Sequence, residues 1–106
     1  MKVFHQDNLY KIARITGPQH NFLGVRIGVK PGSIIYTCLP EENVVSARVN
    51  EEYVSKQIDA ALGVAAEVYG IPFYVSEVQF LASDSQSKDA YKIMMLEICK
   101  FIANSR

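Results

Sequence analysis

The 106-residue chain contains no tryptophan, only two cysteines and no apolar run of membrane-spanning length. A membrane helix needs about 20 mostly apolar residues, and the first ten residues lack the apolar core of a signal peptide. Cys38 and Cys99 lie far apart, outside any CxxC spacing. We therefore expect a cytoplasmic protein without a membrane span, in which both thiols are free and at least half-buried.

Motifs that carry known chemistry are also missing. The chain has no HExxH, no aspartate-rich calcium loop, and no glycine-rich phosphate loop joining a strand to a helix. His5 and His20 are the only histidines, and an acid–base pair would require the fold to bring them together. The sequence therefore predicts no catalytic residue, no cofactor and no native metal, and it favours a binding protein over an enzyme.

Net charge is zero, but the charges are unevenly distributed along the chain. Residues 1–40 carry five basic and one acidic residue, a net charge of +4, whereas residues 41–85 carry two basic and eight acidic residues, a net charge of −6. An acidic middle segment repels nucleic-acid phosphates and attracts a basic surface. The distribution therefore argues against direct nucleic-acid binding and predicts a basic protein as partner.

The clearest structural pattern is an amphipathic helix from Asn50 to Gly70. Its apolar residues recur at intervals of three and four: Val54, Ile58, Ala61, Leu62, Ala65, Val68 and Tyr69. Asn50 is a good N-cap, and Gly70 is suited to a left-handed C-cap. Small residues in the middle of this helix predict close packing on a sheet. A second low-bulk stripe, formed by Lys56, Ala60, Gly63 and Glu67, leaves a homodimer open as an alternative.

The remaining segments predict strands and a second helix. β-forming residues occupy 9–16, 22–29, 33–39 and 71–82, with Val3 and Phe4 as a short edge strand and 43–49 as a further candidate. Pro31 and Gly32 predict a tight turn that folds 22–29 back onto 33–39. Ser83 and Gln86 fit a capping box before a helix that spans about 87–103.

These elements predict one α+β domain over residues 1–106. Its sheet is expected to be mainly antiparallel, with a three-strand meander plus one or two further strands, and covered on one face by two helices. We predict this architecture because most of the strands precede the helices in sequence and because turns connect neighbouring strands.

Six residues are predicted to bind the partner. Four glutamates flank the connection into the first helix, and two polar residues close the first long turn: Glu41, Glu42, Glu51, Glu52, His20 and Asn21. Our lead hypothesis is an immunity- or antitoxin-type inhibitor that neutralises a basic toxin or nuclease by stoichiometric binding. The alternative is a small α+β enzyme or ligand-binding protein, dimeric in one version, with its site between helix 50–69 and the sheet.

Overall fold

The computed structural model describes residues 1–17, 19–41 and 47–105, which form an open mixed sheet of five strands and two helices. The strands are β1 (Val3–Gln6), β2 (Leu9–Thr16), β3 (Gln19–Ile27), β4 (Ile35–Cys38) and β5 (Val75–Phe80). The helices are α1 (Glu51–Tyr69) and α2 (Ala90–Asn104). The predicted α+β class is confirmed. Of the candidate strand at 43–49, residues 43–46 lie outside the described residues and 47–49 form no strand.

The order of the strands is β1-β2-β3-β5-β4, so the antiparallel meander consists of β1, β2 and β3. β5 pairs antiparallel with β3, and β4 pairs parallel with β5 at the outer edge. The predicted hairpin through Pro31 and Gly32 is therefore wrong, and the sheet is mixed rather than purely antiparallel. α1 connects β4 to β5 because parallel neighbours require a long crossover.

Burial explains why β5 rather than β4 lies beside β3. β5 buries Val75, Val78 and Phe80, whereas β4 is short and leaves Ile35 66% exposed. A strand with three buried apolar side chains gains most from an interior position, where both flanks and one face are covered. The shorter, more exposed strand is left at the edge. Cys38 is exposed there, so the prediction that both thiols are at least half-buried is confirmed for Cys99 and wrong for Cys38.

α1 follows the predicted boundaries. The side-chain oxygen of Asn50 accepts the Tyr53 N–H at 2.9 Å, and Gly70 has a φ of +66° with its N–H donating to the Ala66 carbonyl at 3.0 Å. Its buried residues are Val54, Ile58, Ala61 and Ala65. The buried part of this face is shorter than predicted, because Val68, two turns after the buried Ala61 on the same side of the helix, is 67% exposed.

Gly63 lies on the exposed side of α1, and a Cβ added there would meet no atom within 4 Å. Gly63→Ala is therefore expected to raise the free energy of unfolding by about 0.5–1 kcal/mol, since alanine loses less backbone entropy in a helix. Urea denaturation measures this change. Gly70→Ala is the matched control and should be destabilising because of the left-handed backbone. A loss of stability in Gly63→Ala would contradict the open environment described.

α2 begins at Ala90, later than the sequence pattern predicts, and it follows Asp89, which has a φ of +59° and makes no side-chain cap. The predicted capping box of Ser83 and Gln86 is wrong, because both residues precede the helix and bond to other parts of the chain. The apolar side of α2 contributes Met94, Ile98 and other buried residues to the cluster that also contains the buried residues of the sheet and of α1.

Candidate functional site

The segment 82–87, between β5 and α2, lies against the first residues of β3. The His20 N–H donates to the Ser85 hydroxyl at 3.1 Å, and the Ser85 N–H donates to the His20 carbonyl at 3.0 Å. The buried Asn21 side chain donates to the Ser85 carbonyl at 2.7 Å. His20 and Asn21, both predicted to bind a partner, therefore hold this segment in place. Of the two, His20 is exposed and Asn21 is buried.

Asp84 lies at the centre of the same segment and has no exposed surface. Its Oδ2 accepts the Tyr91 hydroxyl at 2.6 Å and the Phe22 N–H at 3.0 Å. Among the described residues, no donor contacts its other oxygen, Oδ1. Burial raises the pKa of the Asp84 carboxyl, against the opposing effect of these hydrogen bonds. The carboxyl thus links β3 to α2 and keeps one oxygen without a partner.

Glu41 bonds to the start of the same segment. Its carboxylate accepts the Ser83 N–H at 3.2 Å and also the Ser83 hydroxyl, and the residue is half-buried. Much of the hydrogen-bonding capacity of this predicted partner-binding residue is therefore used within the chain. Glu42, its predicted neighbour in the site, lies outside the described residues.

The beginning of α1 is attached to segment 82–87 as well. The Arg48 N–H donates to the Ala82 carbonyl at 2.7 Å, and the Gln86 side chain donates to the Arg48 carbonyl. The Tyr53 hydroxyl donates to the Ser87 carbonyl at 3.1 Å. Segment 82–87 therefore connects the start of β3, Glu41 and the start of α1, the three regions that hold the predicted site residues.

Glu51 and Glu52 are exposed in the first turn of α1, where carboxylates are favoured by the helix dipole. Glu52 forms an ion pair with Lys56 at 3.2 Å, and both side chains are 76% exposed, so the pair contributes little to stability. Burial, with the added influence of Asp59 and then Glu51, raises the pKa of the Tyr36 hydroxyl to about 12. The acidic side of α1 therefore lies close to β4. We call Glu51, Glu52 and Asp59 the acidic helix surface.

The two histidines do not form a catalytic pair. His5 pairs with Tyr10 of β2 and His20 pairs with Ile15, five positions further along the same strand. Side chains alternate between faces, so the two imidazoles lie on opposite faces and about 17 Å apart along the strand. The His5 ring stacks on Tyr10 with the centroids 5.1 Å apart, which is a packing role.

A cavity of about 360 Å³ lies beside the first turns of α1. Its lining consists of Asn50, Glu52, Tyr53, Lys56 and Gln57. The side of α1 that faces the sheet is filled by the buried residues named above. Within the described ranges, no group of three or more histidine, cysteine or carboxylate residues is arranged to hold a metal.

Sequence reasoning missed Asp84, Tyr91 and Tyr36 as members of this region. A lone aspartate in the serine-rich SDSQS stretch was the available signal for Asp84, but that composition is equally typical of a helix cap. Tyr91 and Tyr36 fit the apolar patterns of their own elements, so nothing in the local sequence distinguishes them. The six predicted partner-binding residues remain a prediction, and for the five described ones the structure adds their environments.

Comparison of the chain with protein-family models, with curated proteins and with solved structures finds no match. In the part of the chain that the structure describes, no helix combines the length and apolar character needed to cross a membrane.

Proposed function

We propose that this protein is a non-catalytic binding domain that associates stoichiometrically with a basic protein through the acidic helix surface. The observation that carries this proposal is the exposed position of Glu51, Glu52 and Asp59 on α1. Residues 51–59 contain three carboxylates and one lysine, a net charge of −2. Such a surface attracts a cationic partner and increases the rate of association.

More specifically, we propose that the protein is an inhibitor of the immunity or antitoxin type that acts on a basic toxin or nuclease. Acidic side chains can take the place of nucleic-acid phosphates at a basic active site and thereby block it. A cytoplasmic location belongs to the same proposal, and the two free thiols, Cys38 and Cys99, support it because thiols stay reduced there.

His20, Asn21 and Glu41 take a supporting part in this proposal. Their bonds to Ser83 and Ser85 fix segment 82–87, which in turn holds the residues just before α1. A surface whose charges are held in place loses less entropy on binding. The exposed His20 is the member of this group that is able to contact the partner directly.

We infer as well that both helices lie on one face of the sheet. Strand register places Leu23, Val25 and Val78 on the same face, and these residues share one hydrophobic cluster with residues of α1 and α2. The opposite face carries a polar network in which Glu77 accepts bonds from Arg26 and Thr37. This arrangement would leave the outer side of α1 and the polar sheet face for contact with other molecules.

Charge reversal of the acidic helix surface tests the function. The tag-free protein is copurified from its native host, and the partner is identified by mass spectrometry and titrated calorimetrically. We expect the combined Glu51→Lys, Glu52→Lys and Asp59→Lys variant to bind at least about tenfold more weakly, a loss of about 1.4 kcal/mol. Wild-type affinity should also fall steeply with salt.

Glu67→Lys is the matched control, because it reverses an exposed charge near the other end of the same helix. This variant should bind like the wild type. Equal binding by the triple variant, once circular dichroism shows that it is folded, would contradict the proposed role of the acidic helix surface.

A further inference from the structure

β4 is an edge strand whose outer backbone groups face away from the sheet. The Leu39 N–H donates to the Phe80 carbonyl at 2.9 Å, and Cys38 is the residue aligned with Phe80. Backbone groups alternate in direction along a strand, so Thr37 and Leu39 face β5 while the N–H and C=O groups of Tyr36 and Cys38 point outward. Among the described residues, no strand lies beside this outer edge. Such an edge is a template for another strand.

The two sides of this edge differ in chemistry. Tyr36 is half-buried on the sheet face that carries Val78, and α1 packs against β4 with Glu51 and Asp59 near the tyrosine hydroxyl. On the other face, Ile35 is 66% exposed. A strand added here would meet carboxylates on its helix side and an aliphatic side chain on the other.

The opposite edge of the sheet has a different character. The Lys2 ammonium lies 5.1 Å from the ring centroid of Phe4 in β1, and Lys11 of β2 is directly opposite Phe4. Lysines close to an edge strand discourage strand addition, and they repel a basic segment in particular. β4 itself contains no charged residue. Of the two edges, β4 is therefore the one that suits a cationic strand.

We propose that the outer edge of β4 binds an extended basic segment of the partner by strand addition. Its basic side chains point toward Glu51 and Asp59, and its alternate, apolar side chains lie beside Ile35. This inference rests on the proposed function and specifies how the partner is bound. Main-chain hydrogen bonds to Tyr36 and Cys38 supply affinity, and the alternation of side chains supplies selectivity.

The test uses a fluorescein-labelled peptide of about eight residues in which lysine alternates with valine or threonine. Fluorescence anisotropy should show saturable binding to the wild-type protein. Cys38→Pro should weaken it at least about tenfold, because proline removes an outward N–H and leaves the β4–β5 bonds intact. Cys38→Ala, which keeps that N–H, is the matched control and should bind like the wild type.

Two further peptides test whether binding occurs by strand addition. A peptide N-methylated at alternate amides should lose binding to the unaltered protein, which keeps the test valid if Cys38→Pro does not fold. A peptide of equal composition with its lysines in one block should bind more weakly. Equal binding by the N-methylated or block peptide would overturn strand addition.

The triple charge reversal separates this inference from the proposed function. If it abolishes peptide binding while Cys38→Pro and N-methylation have no effect, the acidic helix surface is supported and strand addition is overturned. If charge reversal leaves peptide binding unchanged while Cys38→Pro weakens it, the acidic attraction required by both ideas is contradicted. Absence of peptide binding up to about 1 mM, a free energy of about −4 kcal/mol, overturns strand addition alone, because the proposed function is tested on the copurified partner.

Discussion

Asp84→Ala is expected to lower the free energy of unfolding by about 2–4 kcal/mol, because it leaves one buried and one part-buried donor without an acceptor. These donors are the Tyr91 hydroxyl and the Phe22 N–H, which both bond to Asp84 Oδ2. Removal of a desolvated carboxylate offsets part of the loss. Urea denaturation at neutral pH measures the net change. An effect below about 0.5 kcal/mol, the usual range of surface substitutions, would contradict the central position of Asp84.

Asp84→Asn is the matched control. It retains an oxygen that can accept both bonds and removes the buried charge, so we expect a smaller loss of stability than in Asp84→Ala. The two variants together separate the contribution of the hydrogen bonds from the cost of burying the charge.

Asp84 is also expected to make the free energy of unfolding depend on pH, and comparison of the wild type with Asp84→Asn measures this dependence. Because burial raises the Asp84 pKa in the folded state, the folded protein binds this proton more tightly than the unfolded chain does. The stability contributed by this proton is greatest below the ordinary pKa of 3.8 and is lost as pH rises through the folded value. Glu77 acts in the opposite direction, since hydrogen bonds, chiefly from Thr37, lower its pKa. Subtracting the Asp84→Asn profile from the wild-type profile cancels Glu77 and should leave the Asp84 contribution.

The helix α1 could be predicted from sequence because its signals are local. Asn50 and Gly70 each cap the helix through a residue three or four positions away, and the apolar period lies within the helix itself. The exposure of Val68 could not be read in the same way. It depends on where the packed surface ends, which is decided by elements elsewhere in the chain.

The sheet order was not predictable because its decisive pairing is distant. Ile35 of β4 is aligned with Glu77 of β5, and the whole of α1 lies between them in sequence. Pro31 and Gly32, in contrast, predict a pairing between strands that are neighbours in sequence. A turn-compatible sequence permits a hairpin but does not require one. The greater burial of β5 outweighs this local preference, and burial is a property of the whole fold.

The candidate site shows the same division between local and distant information. The charge distribution along the sequence drew attention to Glu51 and Glu52. Both are exposed in the first turn of α1, where the helix dipole favours carboxylates. The partners of Asn21 and Glu41 are separated from them by 64 and 42 positions in the chain. No local pattern indicates that these residues meet segment 82–87, so sequence reasoning could name them but could not describe their environment.

Ala61→Leu is expected to destabilise the protein by about 1–3 kcal/mol, because a larger side chain there overpacks the core. Ala61 has no exposed surface and lies in the hydrophobic cluster shared by the sheet and both helices. Its neighbour Ala60 is exposed on the same helix, so Ala60→Leu is the matched control and should change stability by less than about 0.5 kcal/mol. Both variants add the same atoms and have the same helix propensity, so the difference between them in urea denaturation isolates packing. Equal stability of the two variants would mean that the small residues of α1 are not required for close approach to the core.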